Sequence, residues 1–290
     1  MRGGVVHHQR ASAMPLATLA IIGLVVACDP TVLIGSCAEP SAVDAGGSGE
    51  AGTGGVAAGG AAAGGAATNE DAVRVPWATG FEDGLCSYHS VRGYCYARHD
   101  AAIEIVSSPV RTGRFAAAFT VNGNTTTADR SQARCVRQGA LPRSATYGAY
   151  YRIPKRQTSD GFWNLFHFRG IVPGGDLHPL WDVSIVNDSD GSLKLLVRNL
   201  IKIPNEASTI VGVPALPIDE WVHIEFQLTR SAQANGSVTL RQDGEIIYQK
   251  LNLITDDTES GEWYLGNYAK TLVPTLSTIY VDDVSIREDQ

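Results

Sequence analysis

The chain has 290 residues, with 30 acidic and 23 basic side chains and a formal charge of −7. It carries no basic stripe of the kind that tracks a nucleic-acid backbone, and no cationic run suited to anionic lipid headgroups. Phosphate-binding loops, the nucleophile elbow of serine hydrolases and the helical zinc motif of metalloproteases are also missing.

In chain order, Arg2 and Arg10 precede an uncharged apolar run from Leu16 to Ala27. Twelve residues are too few to cross a hydrocarbon core of ~30 Å as a helix but suit the apolar region of a signal peptide. The run ends Val25-Val26-Ala27-Cys28, which resembles the bacterial lipobox. That resemblance implies cleavage before Cys28, lipidation of its thiol and export to the cell envelope, so residues 1–28 read as a lipoprotein signal peptide. Residues 29–70 read as a flexible tether, because 43–68 are almost wholly Gly, Ala, Ser and Thr and have too little apolar surface to offset ordering. A Gly-rich coil of about 40 residues has a root-mean-square reach of roughly 35 Å. The folded domain is expected over 71–290, as a monomer whose one contact with the membrane is the lipid.

Apart from Cys28, the cysteines are Cys37, Cys86, Cys95 and Cys135. In an exported chain these read as disulfide formers. Cys86 with Cys95, or either of them with Cys135, is favoured over a pairing with Cys37.

From Val75 onward apolar residues alternate with polar ones. In Trp221–Thr229, Val222, Ile224, Phe226 and Leu228 face one way, while His223, Glu225 and Gln227 face the other. Asp243-Gly244 supplies the positive φ angles of a tight hairpin. Further strands are predicted at Phe115–Val121, Ala149–Ile153, Trp163–Arg169, Trp181–Val186, Leu193–Arg198, Trp263–Tyr268 and Thr278–Ile286. Many short strands between prolines and turns predict an all-β domain, a sandwich of two antiparallel sheets.

Three strands carry residues suited to chemistry. In Asp129–Arg134, alternation projects Arg130, Gln132 and Arg134 from one face, a pair of guanidinium forks beside an amide that suits a carboxylate or sulfate. In Phe162–Arg169, alternation sets Trp163, Leu165, His167 and Arg169 opposite Phe162, Asn164, Phe166 and Phe168. The Phe-rich side is the expected core face, which leaves a flat ring, an imidazole and a cation outside. In Glu262–Lys270, Tyr264, Gly266 and Tyr268 share one face and Trp263, Leu265 and Asn267 the other; glycine there marks close approach of a ligand or another backbone. Acids at the two ends of the domain, Glu82 and Asp83 with Asp282 and Asp283, are an expected oxygen cage for a structural calcium ion.

Trp221-Val-His-Ile-Glu, Asn235-Gly-Ser-Val-Thr-Leu, Gln242-Asp-Gly, the opening Gly80-Phe-Glu-Asp-Gly84 and the closing Tyr280–Ile286 together resemble the concanavalin A-like and laminin-G-like jelly roll. The order of the arginine, histidine and tyrosine strands is similar to that of the jelly-roll polysaccharide lyases of the alginate, glucuronan and heparin type. The resemblance implies a polysaccharide partner, with Arg130, Arg134, His167 and Tyr268 as catalytic residues. Gln132, Trp163, Arg169, Tyr264 and Asn267 are the residues expected to touch the sugar. Gln132 stands where those lyases have an acid and Tyr264 where they have a lysine. The leading expectation is therefore surface-anchored polysaccharide binding. Lyase cleavage by β-elimination is the alternative, and a non-catalytic adhesion module the second.

Overall fold

The computed structural model describes residues 32–33, 75–89, 93–123, 130–139, 141–172, 176–201, 209–211, 214–256, 258 and 260–289. Cys28, Cys37, the signal segment and the Gly/Ala run lie outside them. The strands are β1 (Val32–Leu33), β2 (Trp77–Thr79), β3 (Gly93–Arg98), β4 (Ala102–Val106), β5 (Ala116–Asn122), β6 (Ser131–Gly139), β7 (Ser144–Arg152) and β8 (Thr158–Ile171). They continue with β9 (Leu177–Asn187), β10 (Leu193–Asn199), β11 (Thr209–Val211), β12 (Trp221–Thr229), β13 (Gly236–Gln242), β14 (Glu245–Leu253), β15 (Ser260–Val273) and β16 (Leu276–Glu288). One helical turn, α1 (Cys86–His89), precedes β3.

Two antiparallel sheets form the expected sandwich. The first has the order β1-β3-β6-β15-β8-β9-β10-β11, the second β14-β13-β12-β7-β16-β5-β4, with β2 paired to β16. The first and last long segments of the domain therefore meet, as the resemblance implied. Alternation sets the inner faces: Val222, Ile224, Phe226 and Leu228 are all buried. Glu225 departs from its expected exposed place, because Arg287 and His223 cover it. Asp243 and Gly244 take φ of 50° and 83° and close the β13–β14 hairpin, as their sequence predicts.

Between the sheets, Phe168 meets Tyr147 edge-on at 4.9 Å and Phe226 at 5.1 Å, and Phe166 packs on Tyr151 at 5.4 Å. Each such buried aromatic contributes about 1.5–3 kcal/mol from burial alone, so truncating Phe168 to Ala would cost roughly 3–5 kcal/mol. Cys95 and Cys135 sit opposite each other on β3 and β6 and form a disulfide, one of the pairings favoured from sequence.

Irregularities in the first sheet decide what its outer face presents. Between Leu265 and Tyr268, β15 carries an extra residue relative to β8, and between Asn164 and Phe166, β8 carries an extra residue relative to β9. Such bulges re-aim side chains on either side of the insertion. Gly266 has φ of 139°, and a Cβ there would lie 2.3 Å from the Ala133 carbonyl oxygen. Its glycine therefore answers to the neighbouring backbone of β6.

Candidate active site

The outer face of the first sheet holds a groove of about 580 Å³ that crosses β3, β6, β15, β8, β9 and β10. It is rich in arginine and tyrosine: Arg98, Arg130, Arg134, Arg169 and Arg198 line it with Tyr94, Tyr96, Tyr264 and Tyr268. Residues two apart on β6 face the same side, which brings Gln132 and Arg134 into the groove beside Arg130. Register places Gln132 opposite Tyr268, and Val136 opposite Tyr264, on β15. The concentration of cations in one groove of a chain with net charge −7 comes from alternation on adjacent strands, so total charge does not reveal it.

Arg134 is the floor of the site. Its guanidinium is buried, donates to the Asn164 side-chain oxygen, and lies 4.4 Å from the Tyr268 ring centre and 4.9 Å from that of Tyr264. Asn164 is itself fixed by donating to the Phe166 and Val183 carbonyls at 2.6 and 3.2 Å. Arg130 donates to the Tyr268 hydroxyl oxygen at 3.2 Å. Gln132 accepts from the Tyr96 hydroxyl at 3.0 Å.

His167 lies between Tyr264 on β15 and Asp182 on β9 in the strand register. Neither of its ring nitrogens has a hydrogen-bond partner, although both are buried. Burial, and after it the positive charges of Arg134, Arg169 and Arg198, push its pKa well below the ordinary histidine value. The imidazole is therefore neutral near pH 7 and keeps one N–H and one lone pair unused. Buried polar atoms of this kind call for a partner, and the groove is where one can arrive.

At one edge of the groove, Arg169 donates to the Tyr264 hydroxyl at 3.4 Å, and Tyr264 donates to Glu262. Burial, then the Glu262 charge, push the Tyr264 pKa far above the ordinary phenol value; burial also raises that of Glu262. The Tyr264 proton is thus committed to Glu262. At the far side, Arg198 grips Asp182 through Nε and Nη2, both at 2.9 Å, and Ser184 donates to the same carboxylate at 3.2 Å. Burial raises the Asp182 pKa, while Arg198 pulls it the other way.

Of the residues expected to catalyse or bind, the structure brings Arg130, Gln132, Arg134, His167, Arg169, Tyr264 and Tyr268 into this one groove. Two others it does not. The bulge in β8 turns Trp163 inward, where it is buried and donates to the Asn267 side-chain oxygen at 3.0 Å. Leu165 is buried in the core as well, and Asn164, expected there, holds Arg134 instead. Asn267 lies in the core and donates to the Phe119 and Ser277 carbonyls at 3.1 and 3.2 Å, bridging the sheets.

The acids expected to hold calcium have other partners in the structure. Glu82 accepts from the Arg114 and Phe115 amides at 2.8 and 3.1 Å, and Asp282 from the Arg111 amide at 2.9 Å. Asp283 pairs with the Arg111 guanidinium at 2.6 Å and the Thr112 hydroxyl at 2.7 Å. These carboxylates pin the 111–115 loop, and Asp83 joins no ligand set. Among the described residues no three His, Cys, Asp or Glu side chains are arranged to hold a metal.

Sequence reading missed Asn164, Asp182, Arg198 and Glu262. A signal existed for one pair: Trp181, Val183 and Ile185 alternate with Asp182 and Ser184, so two polar residues share the outer face of an apolar strand.

The architecture is a two-sheet jelly roll with a guanidinium-floored, tyrosine-walled groove across one sheet. The polysaccharide lyase family profile matches residues 77–285, and the chain belongs to that family. Its fold is similar to that of an endo-β-1,4-glucuronan lyase from the fungus Trichoderma reesei, with TM-score 0.54 and 18% identity, over 67% of this chain and 90% of that one. It is also similar to a marine alginate lyase from Aplysia kurodai, with TM-score 0.51 and 10% identity, over 75% of this chain and 100% of that one. No curated protein sequence matches the chain.

Proposed function

We propose that the chain is a lyase that cleaves uronate-bearing polysaccharides by β-elimination. The observation that carries this is the convergence, in one groove, of a neutral, unpartnered His167, the Arg130-held hydroxyl of Tyr268 and the Arg134 guanidinium. In such a reaction the uronate carboxylate docks against Arg134 and Gln132, whose charge and donors stabilise the enolate-like anion that develops when the neighbouring C5–H proton is removed. His167 takes that proton through its lone pair. The C4–O bond breaks, a C4=C5 double bond forms, and the Tyr268 hydroxyl gives its proton to the departing oxygen. A bound carboxylate also offsets the charge of the imidazolium among its arginine neighbours, so substrate and base assist each other.

Incubation with uronate polysaccharides should produce unsaturated ends, read as new ultraviolet absorbance. General acid–base groups contribute about 10²–10⁴-fold, so His167→Ala should lose at least about a hundredfold in kcat while binding persists. Binding by wild type without any absorbance would return the reading to recognition alone. Gln132 and Tyr264, whose proton is already committed to Glu262, are the residues that favour that second reading.

Export and lipid anchoring at Cys28 belong to the same proposal, supported by the apolar run that ends there. A fatty-acid analogue should label wild type and leave Cys28→Ser unlabelled; equal labelling would reject the anchor.

A further inference from the structure

The groove is wider than one sugar, and its two halves differ in chemistry. Its lining crosses six adjacent strands, five spacings of about 4.8 Å or roughly 24 Å, and shifts along them from the level of Arg98, Gln132 and Tyr268 at the β3 end to that of Pro179 and Leu177 on β9, opposite Arg169 and Ile171. A linear polymer lying along the groove therefore crosses the strands obliquely, from the β3–β6 side to the β9–β10 side. His167 and Tyr268 sit on β8 and β15, in the middle. On the β3–β6 side the chain meets Arg98, Arg130, Gln132 and Arg134.

On the β9–β10 side it meets a different surface. Leu177 is 37% exposed there, unusual for a leucine lining a polar groove, and Pro179 and Leu200 continue the apolar patch. Among the described residues two arginines flank this patch: Arg198 donates to Asp182 and ion-pairs with it, a carboxylate that is 1% exposed, and Arg169, opposite Pro179, donates to the Tyr264 hydroxyl beside Glu262. Each guanidinium has a carboxylate near it before any substrate arrives. Register puts Asp182 directly across from His167, so the change from cationic to neutral lining falls at the reacting centre.

We infer that the β9–β10 half of the groove takes an uncharged sugar with an apolar substituent, so that the substrate is a heteropolymer alternating uronate with a neutral, acylated residue, not a chain with a carboxylate on every unit. The inference rests on the lyase reading above and names its substrate class. A carboxylate placed over Leu177 and Leu200 would lose water and find the Arg198 guanidinium engaged by Asp182. An N-acetyl methyl group would bury apolar surface there instead.

The test compares hyaluronan and unsulfated chondroitin, which alternate glucuronate with an N-acetylated sugar, against polyglucuronate and alginate, which are charged throughout. Wild type should favour the alternating polymers by about tenfold or more in kcat/KM, the discrimination a small apolar contact supplies. Leu177 is exposed, so Leu177→Lys should fold with an unchanged melting temperature and shift the ratio toward the fully charged polymers. Equal or faster cleavage of polyglucuronate or alginate by wild type would overturn this inference and leave the lyase reading intact. If no polymer is cleaved, the lyase reading fails, and the same preference is then sought in Kd. Tighter binding of the alternating polymers would sustain the substrate assignment for a binding groove; equal binding, or none, would end it.

Discussion

Asn267 separates a scaffold role from a binding role more sharply than any other residue here. Its side-chain oxygen accepts from the Trp163 indole at 3.0 Å, and its amide donates to the Phe119 and Ser277 carbonyls, all in the core. Asn267→Leu keeps the volume roughly constant but removes every one of these partners. An abandoned buried donor or acceptor costs about 1–3 kcal/mol. Among the described residues the indole N–H has no other hydrogen bond and suffers the full loss, and each carbonyl loses one donor. A total of about 3–5 kcal/mol follows. For a domain of this size, about 2–4 °C of melting temperature accompanies each kcal/mol, so a fall of roughly 10 °C is expected by circular dichroism or calorimetry. Polysaccharide affinity measured well below the new transition should match wild type. A variant that melts within 2 °C of wild type yet loses affinity would show that Asn267 faces the ligand and that the bulge is misassigned.

The depressed pKa of His167 makes the fold acid-sensitive. The unfolded chain takes up a proton near pH 6.5 that the folded chain refuses, so stability is complete above that value and falls as pH drops toward the lower folded value. The slope reaches about 1.4 kcal/mol per pH unit for this group. The urea midpoint of wild type should therefore fall relative to that of His167→Phe between pH 7.5 and 5; parallel curves would contradict the burial of a neutral imidazole. Arg134→Ala should weaken uronate-polysaccharide binding at least about tenfold, with a smaller salt dependence, where the exposed Lys250→Ala does not. Paired replacement of Cys95 and Cys135 by Ser, opening a loop with a sequence separation of 40, should cost about 4 kcal/mol in denaturant unfolding. A loss under 1 kcal/mol would mean that the bridge does not restrain the unfolded chain.

Strand identity and facing were legible wherever a strand is regular. On β15, whose pairing with β6 is unbroken even though it carries an extra residue relative to β8, Tyr264 and Tyr268 face the groove and Trp263 and Leu265 the core, as period two requires. On β6 the same rule carried Gln132 and Arg134 to the correct face. It failed on β8, where the order Trp163-Asn164-Leu165-Phe166 contains no glycine or proline to announce an extra residue. Counting back by twos from His167 then places Trp163 outside and Asn164 inside, the reverse of the structure. Asn267 was legible in facing but not in role. A polar residue on a core face reads as misplaced until Trp163, Phe119 and Ser277, far from it in sequence, are seen to satisfy it. The partners of the acids at the domain ends were not legible either, because the amides of 111–115 that bond Glu82 and Asp282 lie far from them in sequence.

The bulges are also what make the groove a site. In an unbroken β8, Asn164 would point into the core, and Arg134 would lose the oxygen that fixes its guanidinium. The indole of Trp163 would occupy the groove floor where the polymer must pass. With the extra residue, the segment from Phe166 onward keeps His167 and Arg169 outward, while the segment before it turns Trp163 in to meet Asn267. The extra residue of β15 lies between Leu265 and Tyr268, at the same level of the sheet, with Gly266 admitting the β6 carbonyl. The inward Trp163–Asn267 bond and the outward Arg134–Asn164 bond thus depend on one pair of neighbouring irregularities. Core and site are coupled through them: a change that restores regular pairing on either strand leaves both a buried indole and a buried guanidinium without their partners, and the fold resists it for the same reason that the groove requires it.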